Sequence, residues 1–105
     1  MSFLKVCDLK DFAGKVQLGR HIAARNVLLI RDGSEVHAYE DRCAHRGVKL
    51  SFGSVRDGRI QCPAHLWEYD VTTGRCVTQT AAALIKFAVR LDGDAVLVDL
   101  PDPTA

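Results

Sequence analysis

Apolar positions along this chain recur with the short period of strands, not of helices. Segments bearing Val, Ile and Leu run over Lys15–Leu18, Val27–Ile30, Glu35–Tyr39, Arg59–Gln61, Lys86–Leu91 and Ala95–Leu100, and each predicts a strand. Turn signals separate them: Asp32-Gly33-Ser34, Asp57-Gly58, Thr73-Gly74 and Asp92-Gly93-Asp94. Many short strands joined by Gly/Asp turns predict an all-β fold, an antiparallel β-sandwich or small barrel. Thr80–Lys86 is the best helical stretch, because its alanines have high helix propensity. It lacks a cap and a clean apolar stripe, so coil or a short turn is expected there.

Length and charge narrow the classes. The 105 residues suit a single domain spanning 1–105, and 48% apolar with 26% charged residues is globular usage, which excludes disorder. Fourteen Lys and Arg against 13 Asp and Glu leave a net charge of +1, without the basic footprint of a nucleic-acid binder. No apolar stretch approaches the ~18 residues of a membrane span. Residues 1–5 carry no signal-peptide core, so a cytoplasmic location is expected. The tail 101–105 contains Pro101 and Pro103 and is expected to fray. In a reducing compartment, cysteines beside histidines read as metal ligands or catalytic groups before they read as disulfides.

Two segments break the strand pattern, and both hold such pairs. They read Cys43-Ala44-His45-Arg46-Gly47 and Cys62-Pro63-Ala64-His65-Leu66-Trp67, with sixteen residues between His45 and Cys62. Two thiolates and two imidazoles form a plausible metal set. Structural zinc accepts such an inventory, but zinc fingers group their cysteines on one element and their histidines on another. Here each loop supplies one of each. That order suits a two-iron cluster served by both loops, with Cys43 and Cys62 on one iron and His45 and His65 on the other.

These loops resemble those of Rieske-type ferredoxins. Cys62-Pro-Ala-His65-Leu-Trp67, with the opening Met1-Ser-Phe-Leu-Lys-Val-Cys7, is most similar to the ferredoxin component of toluene (aromatic or alkene) monooxygenases. The resemblance implies an antiparallel β-sandwich carrying a small cluster-binding subdomain formed by two loops, about 42–53 and 61–70. It implies one [2Fe–2S] cluster per chain, bound by Cys43, His45, Cys62 and His65. The chain would be a one-electron carrier and not an enzyme, with an NADH-dependent flavin reductase as donor and the hydroxylase of a di-iron monooxygenase as acceptor. A ferredoxin of an aromatic-ring dioxygenase, a Rieske-like small subunit of nitrite reductase and a zinc-stabilised binding module are the alternatives.

Departures from the respiratory branch matter too. The positions where that branch carries extra disulfide-forming cysteines are Val48 and Ala64, and its serine donor to cluster sulfur is replaced by Trp67, while its tyrosine donor is kept as Tyr69. Two ferric ions, two sulfides and two thiolates sum to about zero charge, whereas four thiolates would leave roughly two negative charges, so imidazole ligation raises the potential. Loss of the serine donor lowers it again, and a value at or below about 0 mV is expected.

The remaining residues have bland and functional readings side by side. Trp67 either covers the cluster or meets a partner, or is an ordinary core tryptophan. Arg42, Arg46 and Lys49 form a local positive patch that either steers docking or is a solvated loop. Gly47 and Gly53 are expected at positive φ, and Pro63 stiffens its loop. His21 and His37 are expected at the surface, and Cys7 and Cys76 as small buried apolar groups. Asp41, Glu68 and Asp70 read as turn or surface residues.

Overall fold

The computed structural model describes residues 3–43, 49–63, 67–78 and 82–100. Its strands are, in chain order, β1 (Phe3–Asp8), β2 (Gln17–Ile22), β3 (Arg25–Asp32), β4 (Glu35–Glu40), β5 (Ser54–Arg56), β6 (Arg59–Gln61), β7 (Glu68–Asp70), β8 (Lys86–Phe87), β9 (Val89–Asp92) and β10 (Ala95–Asp99). Short 3-10 turns cover Leu9–Phe12 and Leu50–Phe52, and no α-helix occurs among the described residues. The strands form three antiparallel sheets, ordered β1-β10-β9, β2-β3-β4-β8 and β5-β6-β7.

β3 explains why there are three sheets. Val27, Leu28, Leu29 and Ile30 are all buried, and four buried residues in succession require cover on both faces of a strand. Val27 and Leu29 join Val6, Cys7, Phe87, Val96 and Val98 in the core between the first two sheets. Leu28 and Ile30 face the other way, into a second core with Tyr39, Leu50, Ile60, Tyr69 and Leu84. The middle sheet is therefore the floor on which the third sheet and its loops rest. Tyr39 crosses that join: it lies opposite Leu28, and its buried hydroxyl donates to the Val71 carbonyl at 2.8 Å.

All six predicted strands are present, Arg59–Gln61 with the predicted bounds and the others with shifted ones. Lys86–Leu91 is broken at Ala88 into β8 and β9, which belong to different sheets, so the chain crosses between layers within that stretch. β1 escapes the period-two test because its register slips between Lys5 and Cys7. This bulge turns both Val6 and Cys7 inward. β5 and β7 are three residues each, too short to show a period. Gly53 has φ −81, an extended value, so the expected positive φ is absent. Glycine is needed there for a different reason: a Cβ would overlap the Gln61 carbonyl oxygen across the paired strands.

Asp57-Gly58 turns β5 into β6 with φ of 52 and 75, the twist that suits a two-residue hairpin. β2 turns into β3 in the same way through Ala23 and Ala24, at φ 51 and 64, although neither residue favours that region. Left-handed backbone costs ~1–2 kcal/mol per ordinary residue. Replacing the pair, Ala23→Asn with Ala24→Gly, is expected to stabilise the protein by about 1 kcal/mol, seen as a higher urea midpoint. A second prediction concerns alkaline stability. Burial, with the nearby Asp70 carboxylate, pushes the Tyr39 phenol up from 10.0 to about 12. Below pH about 10 the phenol is neutral in both states and its contribution is intact. Between about 10 and 12 only the unfolded chain ionises, so roughly 2–3 kcal/mol is lost as pH rises. Unfolding titrations across that window should show a shallower slope for Tyr39→Phe.

Candidate metal centre

Cys43 and Cys62 both lie fully buried in the second core. One follows β4 and the other follows β6, so two separate sheets bring the sulfurs to one apolar layer. His45 and His65, together with Arg46, Gly47, Val48 and Ala64, lie outside the described residues, as does the tail 101–105.

Each loop is tied at its stem. For the first, Asp41 is the anchor. Its side chain is in a residue only 3% exposed, and its carboxylate accepts from the Ser51 backbone N–H at 2.9 Å and from the Ser51 hydroxyl at 2.6 Å. Its own N–H donates to the Asn26 carbonyl at 2.9 Å. Asp41 and Ser51 thus close residues 42–50 against the β2–β3 hairpin, and the surface reading of Asp41 is overturned. Gly19 in β2 makes this approach possible, since a Cβ there would fall 2.6 Å from the Ser51 Oγ. The second loop closes through its backbone: the Cys62 N–H donates to the Trp67 carbonyl at 2.7 Å.

Tyr69, on β7, is fully buried with its hydroxyl 3.3 Å from the Cys43 Sγ. A thiolate can only accept, so against an ionised Cys43 the phenol is the donor. Trp67 is half-buried against the same core. Arg42 and Lys49 are exposed at the mouth of the first loop. Asp70 is not a turn residue but the last residue of β7, where its carboxylate accepts from the Thr72 and Thr73 N–H groups of the turn that follows. Hydrogen bonds from Thr72 hold its carboxyl below the usual range. Cys7 and Cys76 are buried, in different cores. Cys7 is a free thiol, so no disulfide joins the two, and burial pushes the Cys7 thiol up. His21 is exposed, whereas His37 is not a surface residue: its side chain is 13% exposed and lies 3.7 Å from the Glu35 carboxylate.

Buried, inward-facing sulfurs with a phenol donor at one of them, under two stem-tied loops, are a donor set suited to iron–sulfur ligation. Fold and site together define a small antiparallel β protein whose second core carries both cysteines at the stems of two loops. The chain belongs to the Rieske [2Fe-2S] domain family, which matches residues 2–88, and it therefore carries a [2Fe–2S] cluster. It is similar to the ferredoxin component of biphenyl 2,3-dioxygenase of Rhodococcus jostii, with 33% identity over 95% of this chain and 94% of that protein. It is also similar to the ferredoxin component of the alkene monooxygenase system of Xanthobacter autotrophicus, with 27% identity over 93% and 81%. Among solved structures, the ferredoxin of carbazole 1,9a-dioxygenase from Nocardioides aromaticivorans superposes with a TM-score of 0.84 at 26% identity, covering 93% and 97%. Other relatives are far longer, and the chain spans only 12% of protein TIC 55 of Pisum sativum, at 44% identity over 65% of this chain. Among the described residues no helix is long and apolar enough to cross a membrane.

Removing the Asp41 carboxylate would leave the partly buried Ser51 N–H without its acceptor. Asp41→Ala is expected to cost about 1–3 kcal/mol in urea unfolding. The same variant should lose its visible iron–sulfur absorbance to a chelator faster than the parent, because the first loop is no longer tied.

Proposed function

We propose that this chain is a one-electron carrier, the ferredoxin component of a multicomponent oxygenase. Cys43 and Cys62 would hold one iron of the cluster, and His45 and His65 the other. The observation that carries the reading is the convergence of Cys43, Cys62 and the Tyr69 hydroxyl in one buried layer beneath two tied loops. The cluster, when bound, accepts one electron and gives it up again. The chain's own residues exclude water from the sulfurs, keep the loop stems rigid and place a donor on Cys43. A rigid, dry site limits rearrangement between the two charge states.

The donor would be an NADH-dependent flavin reductase. The acceptor would be the di-iron hydroxylase of an aromatic or alkene monooxygenase, supported by the flanking residues Phe3–Cys7 and Trp67 and by the alkene monooxygenase relative. A second reading, delivery to a ring dioxygenase, is favoured by the higher identity to the biphenyl dioxygenase ferredoxin. Reconstituted turnover with each class of oxygenase separates the two.

Visible and EPR spectra before and after dithionite decide the carrier reading itself. A rhombic signal that appears on reduction supports it, and a colourless zinc protein without acid-labile sulfide would end it. In the cluster-loaded protein, Tyr69→Phe removes a bond that strengthens as electron density on the sulfur grows. Its potential should therefore fall by roughly 50 mV, which for one electron is close to tenfold in equilibrium constant. An unchanged potential would show that Tyr69 does not donate to Cys43.

A further inference from the structure

We propose that the groove between the edge strand β2 and the Leu50–Phe52 turn is a docking site for an acidic, apolar-tipped segment of the partner oxygenase. This rests on the carrier reading above. The groove encloses about 820 Å³ and runs directly beside the first loop. Lys15, Arg20 and Lys49 line it, and the one carboxylate among its lining residues is Asp41. That carboxylate is committed to Ser51 and buried, so it presents no negative charge to a visitor. Among the described residues no acidic side chain pairs with Lys15, Arg20 or Lys49. In a chain with a net charge of only +1, three such cations along one groove give a local field that the total conceals.

Phe52 supplies the second half of the argument. It is 75% exposed, more than any other large apolar side chain among the described residues. Its neighbours explain why it cannot turn inward: Leu50 is anchored in the second core and Ser51 is held by Asp41. The Gln17 side-chain amide also donates to the Gly53 carbonyl at 2.6 Å, which fixes the exit of the turn. A rigidly presented aromatic loses little conformational freedom on binding, which is the property of an interface anchor. Cations set beside such an anchor select an acidic surface that carries its own apolar residue. Because the groove adjoins the first loop, a partner seated there lies next to the cluster it must discharge.

The test is fluorescence anisotropy of a labelled synthetic peptide, Glu and Asp residues around a central Leu-Phe pair, titrated with the holoprotein at low and high salt. Saturable binding is expected, weakening as salt rises. The double variant Lys15→Glu with Arg20→Glu should weaken it by about tenfold. Phe52→Ala should weaken it several-fold while keeping the salt dependence, and Arg56→Glu, which lines a separate groove, should leave it unchanged. In reconstituted turnover the double variant should need about tenfold more ferredoxin for half-saturation, at an unchanged potential. Absent peptide binding, equal binding by the double variant, or preference for phosphatidylserine vesicles over the peptide would overturn the proposal. EPR of the same samples keeps the two readings apart: a missing cluster signal defeats the carrier, while an intact cluster with no peptide binding defeats the groove alone.

Discussion

The Asp41 carboxylate, closed off from water with both oxygens engaged by Ser51, is the constraint on which the first loop depends. A buried carboxylate is tolerated only when hydrogen bonds replace its hydration. Here those bonds come from a residue on the far side of the loop. The cost of burying the charge is thus converted into a fixed loop stem. Gly19 completes the arrangement by allowing β2 to pass close beneath. The second loop needs no such device, because it is short enough for the Cys62 and Trp67 backbones to meet directly.

Beneath both loops lies a sheet that is buried on each face. The outer face of the β3–β4 hairpin seals a conventional sandwich core. Its inner face carries the layer that holds both cysteines and Tyr69. A small domain has little apolar area to commit, and sharing one sheet between two cores lets ten short strands support a separate site. Tyr39 ties the two layers with a buried hydrogen bond to Val71, so the sandwich and the site are mechanically one unit.

Charge is distributed with the same economy. Acidic groups near the site are occupied internally: Asp41 by Ser51 and Asp70 by Thr72 and Thr73. Arg42 and Lys49 stay in solvent at the mouth of the loop. The proposed electron carrier would meet its partners briefly and release them. A surface with a few cations and one aromatic suits that need better than a broad apolar patch, because charge raises the encounter rate without slowing release.

By itself the sequence determined the all-β class, the Gly/Asp turns and the presence of two loops that each pair a Cys with a His, because these reside in local spacing and residue type. Cys43 and Cys62 were legible as ligand candidates for that reason. The tertiary structure alone decided what depends on distant contacts. Asp41 and Ser51 stand ten positions apart with no local motif to connect them. Val6 and Cys7 both point inward only because β1 bulges against β10. His37, read as a surface residue, is drawn in by its place opposite Ile30 on the inner face of the hairpin. Gly53 is required by the carbonyl of a neighbouring strand and not by its own backbone angle. Period and composition record what a residue prefers, whereas burial and hydrogen-bond partners are set by whichever segments the fold brings alongside it.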